Sequence, residues 1–85
     1  MVDKKKVDKE IQEAKDALKK AKRKICDAEK AAEVAEKEVY EAASVCTGKK
    51  KKTFVKTVMK VEKATYTVGE SCESAQEADS NLEEI

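Results

Sequence analysis

Beginning at Val7 and stepping alternately by four and three residues, the chain presents Val7, Ile11, Ala14, Leu18, Ala21, Ile25, Ala28, Ala32, Ala35, Val39, Ala42 and Cys46. Every one of these positions is apolar, in a chain that is 40% hydrophobic overall. A 3.5-residue apolar repeat held over such a length marks a long helix with one buried stripe. It decides against disorder, which the abundance of Lys and Glu would otherwise suggest. Charged residues make up 44% of the chain and aromatics only 4%. That balance suits long helices joined along a narrow seam better than a globular core. With 85 residues, the chain forms a single helical domain spanning residues 1–85. At this size one core is marginal, and cross-links or partners commonly assist it.

The repeat has two rows of different character. Ile11, Leu18, Ile25, Ala32, Val39 and Cys46 form one, and Val7, Ala14, Ala21, Ala28, Ala35 and Ala42 the other. A row of alanines favours helix and lets a facing helix come close. After Gly48 and the lysines at 49–52 the pattern returns at Phe54, Val58, Val61, Thr65, Val68, Cys72, Ala75, Asp79 and Leu82. Thr, Val and Tyr here also suit a strand. Strand alternation, however, would put Lys56, Lys60 and Glu62 on the face of Phe54, Val58 and Tyr66, so helix is preferred. Gly69 lies inside this second pattern, where glycine costs about 1 kcal/mol relative to alanine and invites a bend.

Gly48 can take the left-handed conformation that ends a helix, and lysines beside it suit the negative end of the helix dipole. Thr53 is a candidate N-cap for the returning segment. The reading is therefore an all-α antiparallel hairpin: a helix over about 4–46, a turn at 47–52 and a helix over about 53–83. Setting Cys46 opposite Phe54 brings Ala28 beside Cys72, Ile25 beside Ala75 and Leu18 beside Leu82. Charge supports the same orientation. Residues 1–24 carry ten bases and five acids, 25–47 two and six, 48–63 seven and one, and 64–85 none and six. Antiparallel pairing sets basic blocks beside acidic ones. Exposed pairs contribute well under about 1 kcal/mol each, so they choose orientation more than they stabilise.

In this register Val7, Ile11 and Ala14 project beyond the second helix. Thr57, Ala64, Ser71, Ala78 and Ile85 form an uncharged flank on that helix, with Met59 and Tyr66 adding apolar bulk elsewhere. These features predict a partner surface at Val7, Ile11, Ala14, Ala64, Ala78 and Ile85. Its simplest use is a homodimer, two hairpins forming a four-helix bundle. An alternative breaks the first helix near residues 24–27 and folds a monomeric three-helix bundle.

Chemistry is sparse. The chain has no histidine, which removes the usual general base and the commonest metal ligand. It has no Gly-rich phosphate loop either. Enzymatic activity, cofactors and metals are not expected. Asp79 falls on the seam and reads as its frayed end beside Lys20, Lys22 and Lys24. Cys26, Cys46 and Cys72 are too widely spaced for a zinc knuckle. Within a hairpin only Cys26 and Cys72 come near each other. They are read either as a disulfide or as buried thiols, which behave as small hydrophobes. The exposed tip Lys49, Lys50, Lys51 and Lys52 is the candidate contact for an anion.

No uncharged stretch approaches the roughly 20 residues that span a bilayer. The start, MVDKKKVDKEIQ, lacks the apolar core of a signal peptide. That favours a cytoplasmic chain, although a mature secreted chain given a new methionine would read the same. The functional expectation is a non-enzymatic structural or protein-interaction module that self-associates or docks partner helices. The alternative is a small secreted helical effector or toxin-like protein stapled by Cys26 and Cys72. A third reading, nucleic-acid or anionic-surface binding through the lysine turn, is disfavoured by a net charge of +1 and a single arginine.

Overall fold

Asp3 opens the first helix. Its backbone is extended (φ −72°, ψ 115°) and its Oδ1 accepts a hydrogen bond from the Lys5 amide at 3.0 Å, which satisfies one of the donors a helix start leaves free. From there the computed structural model, which describes residues 3–85, runs as α1 (Lys4–Val45) and α2 (Gly48–Glu83). The two helices lie antiparallel in an extended hairpin 71 Å long and about 16 Å across. Pairs such as Lys19–Glu83, Cys26–Cys72 and Tyr40–Glu62 tie them together along the seam.

The turn is tighter than the sequence suggests. Only Cys46 and Thr47, both extended, separate the helices, and Gly48 follows with φ +64°. That left-handed φ is what a side chain would resist, since nothing lies within 4 Å of an added Cβ. The lysines at 49–52 therefore form the first turn of α2 rather than a loop. Thr53 is not an N-cap but an interior residue, its hydroxyl donating to the Lys49 carbonyl at 3.2 Å. Lysines at a helix start oppose the dipole. Lys51 turns back, however, and its Nζ donates to the Ala43 carbonyl at 2.6 Å. It thereby satisfies one of the four carbonyls that the end of α1 leaves unpaired.

Both helices are continuous. α1 passes through residues 24–27 without a break, so the three-helix alternative is not adopted. α2 passes through Gly69 without interruption. There, glycine allows close approach: an added Cβ would lie 2.6 Å from Glu29 Oε2.

The seam of α2 follows its apolar pattern. All nine positions from Phe54 to Leu82 in that pattern are buried or half-buried. On α1 only one of the two expected rows is covered. Ile11, Leu18, Ile25, Ala32, Val39 and Cys46 are half-buried, whereas Val7, Ala14, Ala21, Ala28 and Ala35 are exposed and only Ala42, at the turn end of their row, is half-buried. In place of the alanines the contact takes in Lys15, Lys22, Glu29, Glu36 and Ala43, the row one residue further on. The cause is lateral: the Cys26–Cys72 disulfide holds its two Cα atoms 4.9 Å apart. Cys26 follows Ile25, so this bond draws α2 toward the side of α1 away from the alanines. Charged residues tolerate the contact by lying their aliphatic stems against it.

The buried interior is thin. Among the described residues, Ala43, Val58, Cys72 and Ala75 are its buried apolar members, and no side chain is completely enclosed. Asp79 is buried with them, 8% exposed. It is not a frayed end. Its Oδ2 meets Lys22 Nζ at 2.8 Å while its Oδ1 has no partner.

Candidate functional site

The exposed alanine row lies three residues beyond a covered row of α1, and Thr57, Ala64, Ser71, Ala78 and Ile85 lie three residues beyond a covered row of α2. At about 100° per residue, each sits roughly 80° to the same rotational side of its helix's contact line. An antiparallel pair has an approximate two-fold axis normal to the plane of its helices, and that axis carries equal offsets onto one side. Ala14, Ala21, Ala28 and Ala35 therefore share a face of the hairpin with Ala64, Ser71 and Ala78. Cross-strand pairs confirm the geometry from the opposite side. Lys19–Glu83 (3.0 Å) and Tyr40–Glu62 join residues that each follow a seam row by one.

Ala64 and Ile85 on this small-residue face are exposed and Ala78 is half-buried. Along its outer margin α2 contributes Lys60, Thr67, Ser74 and Asn81, so one charge interrupts the flank over its length. Val7 and Ile11 belong to the three turns of α1, residues 4–14, that extend beyond α2. This overhang is about 16 Å long at 1.5 Å per residue. Val7 is exposed and Ile11 half-buried. The structure thus gathers the six expected partner residues into one face and the overhang adjoining it.

The other face differs in chemistry. Near the turn, Tyr40, Val55 and Met59 stand around buried Val58 and Ala43, enclosing a groove of about 340 Å³. Further along, a trough of about 470 Å³ is lined by Glu29, Glu36, Glu62, Glu70 and Glu73. The Tyr40 hydroxyl donates to Glu62 Oε1. Glu70, as hydrogen-bond acceptor and as a negative charge, raises the Tyr66 hydroxyl above its ordinary value of 10.0. At the open end Glu83, bonded to Lys19, raises that lysine above 10.5 in the same way. Met59 and Tyr66 were visible in the sequence as apolar bulk off the seam. Tyr40 was not, because its partners on α2 are set by the rotation of the hairpin.

Among the other expected site residues, Cys26 and Cys72 are joined and Cys46 is free and half-buried near the turn. Lys49, Lys50 and Lys52 are exposed, while Lys51 is half-buried and occupied with Ala43. The described residues contain no group of three or more His, Cys, Asp or Glu placed to hold a metal ion. Among the described residues, no helix is long and apolar enough to cross a membrane. The chain matches no protein-family model, no curated protein and no solved structure. Its surfaces are therefore the basis for a functional reading.

Proposed function

We propose that the protein is a non-enzymatic interaction module whose small-residue face receives a helix of a partner, in the first instance a second copy of itself. One observation carries this reading: the alanine row that could have packed inside the hairpin is left outside it, beside the uncharged flank of α2. Alanines allow helices to approach closely, and a face of small residues with few charges at its margin loses little solvation when covered. The area suits a stable complex. A face about 54 Å long, the length of α2, on a body 16 Å wide offers on the order of 800 Å² per copy, the usual size of a specific interface.

Charge sets the orientation. With α1 antiparallel to its counterpart, the basic block 1–24 of one copy meets the acidic block 25–47 of the other. A four-helix bundle of this kind also covers Val7 and Ile11. Its test is the melting temperature as a function of protein concentration, since association stabilises the folded state by mass action. The melting temperature of the native chain rises with concentration. Ala28→Glu, placed on the exposed row, removes that rise without lowering the melting temperature at high dilution. A concentration-independent melt of the native chain contradicts the reading.

The disulfide favours a second reading, a small secreted helical effector stapled by Cys26 and Cys72, because such bonds persist in oxidising compartments. Thiol labelling of protein taken from its natural source distinguishes the two. One reactive cysteine per chain supports the secreted reading, and three support an intracellular module.

A further inference from the structure

We propose that the groove on the face opposite the alanines binds a cationic amphipathic helix of another protein, seating an apolar anchor near the turn and its basic residues along the trough. The groove has a floor and adaptable walls. Val58 is 9% exposed at its base, while Met59 is 68% exposed on the rim beside Tyr40 and Val55. An exposed methionine next to tyrosine is a poor surface for water and a good one for an apolar side chain.

The occupant's charge follows from what adjoins the groove. Glu29, Glu36, Glu62, Glu70 and Glu73 line the trough, and the ion pairs among the described residues are Lys19–Glu83 and Lys22–Asp79. No lysine nitrogen lies within 4 Å of any of the five trough carboxylates, and Lys37 is the lysine that stands beside Glu36 and Tyr40 on this face. Lys51 lines the apolar end itself, with its Nζ turned to the Ala43 carbonyl. Tyr66, 70% exposed beside Glu70, adds an aromatic face that a lysine or arginine can cover. An anionic or wholly apolar partner would leave these carboxylates uncompensated.

Length follows from helix geometry. From Met59 to Glu73 is about 21 Å along α2, which asks for a helix of about four turns with its anchor at one end. This face points outward in the bundle proposed above, so the groove is open in monomer and dimer alike. The inference therefore stands or falls separately from self-association. The basic overhang of a second copy, with Lys4, Lys5, Lys6 and Lys9 around Val7 and Ile11, is the rival occupant.

The experiment measures fluorescence anisotropy of three labelled peptides against the full oxidised chain. One is an 18-residue amphipathic helix of leucine and lysine, the second has glutamate for lysine, and the third is residues 3–20 of this protein. The leucine–lysine peptide binds and the glutamate peptide does not. Met59→Asp weakens binding about tenfold, as loss of an apolar anchor does, although it makes the face more negative. Substituting Glu36, Glu62 and Glu73 by Gln also weakens it. Met59 is exposed, and circular dichroism of each variant establishes that the hairpin is intact. Unchanged or tighter binding to Met59→Asp identifies simple polyelectrolyte attraction and overturns the proposal. Equal binding of the glutamate peptide overturns it too. Tighter binding of the 3–20 peptide, with the same response to Met59→Asp, assigns the groove to a second copy instead.

Discussion

Removal of the Cys26–Cys72 disulfide is the perturbation with the largest consequence for this fold. The bond closes a loop across a sequence separation of 46 residues. In the chain-entropy description, a loop of that size lowers the entropy of the unfolded chain enough to stabilise the folded one by about 4 kcal/mol. For 85 residues, total stability near 0.05–0.15 kcal/mol per residue amounts to roughly 4–13 kcal/mol. The bond thus contributes a large share, in keeping with an interior that encloses none of the described side chains completely. The assay is guanidinium unfolding followed by helical circular dichroism, comparing the native chain with Cys26→Ser/Cys72→Ser at one low protein concentration. Cys46→Ser is the control, because its thiol is free. The double variant loses about 4 kcal/mol, and the control changes little. A loss below about 1 kcal/mol, the scale of a single neutral hydrogen bond, refutes the argument that the covalent link compensates for the thin core.

Three further outcomes follow from the same structure. Gly69→Ala stabilises the chain by up to about 1 kcal/mol through helix propensity. The atom it would meet is the end of the flexible Glu29 side chain, so a destabilisation in thermal melts shows that Glu29 cannot move aside. Asp79→Val removes an unpartnered buried oxygen and a part-buried ion pair. Lys22 can turn to solvent, and stability stays level or rises by about 1–2 kcal/mol, whereas a clear loss in denaturant unfolding marks the pair as net stabilising. With Tyr40→Phe leaving Tyr66 as the reporter, the ultraviolet absorbance of tyrosinate titrates above pH 10.0, and Glu70→Gln brings the midpoint down toward it. The sign follows because the protonated Tyr66 hydroxyl donates to Glu70 and because the Glu70 charge opposes a second negative charge on the phenolate; an unchanged midpoint contradicts that pairing.

The hairpin was legible because its signals are local and repeated. The apolar repeat defined both helices, Gly48 marked the reversal, and the charge blocks oriented one helix against the other. The rotation of α1 was not legible. Two rows, Ile11 to Cys46 and Val7 to Ala42, offered equally good seams by apolarity. The choice between them came from the disulfide and from pairs such as Tyr40–Glu62, which act across the fold. The sequence overstates the length of the turn for a related reason. Consecutive lysines look like a solvated loop, yet Lys51 has a carbonyl to meet at the end of α1 that no local pattern announces. The seam position of Asp79 beside Lys22 is legible in the sequence, but its burial is not, since a charged residue near the chain's end reads as fraying. The apolar groove depends on Tyr40 and Met59 meeting from different helices, which sequence spacing alone does not specify.

In the proposed dimer a second copy of the chain covers the exposed alanine face. Its most direct test is the solution mass, by light scattering after size exclusion, of the oxidised native chain and of Ala28→Glu. The native chain is expected to have twice 9.4 kDa, and the variant to be a folded monomer. A native chain that remains a 9.4 kDa monomer at every concentration, or a variant that still pairs, would contradict it.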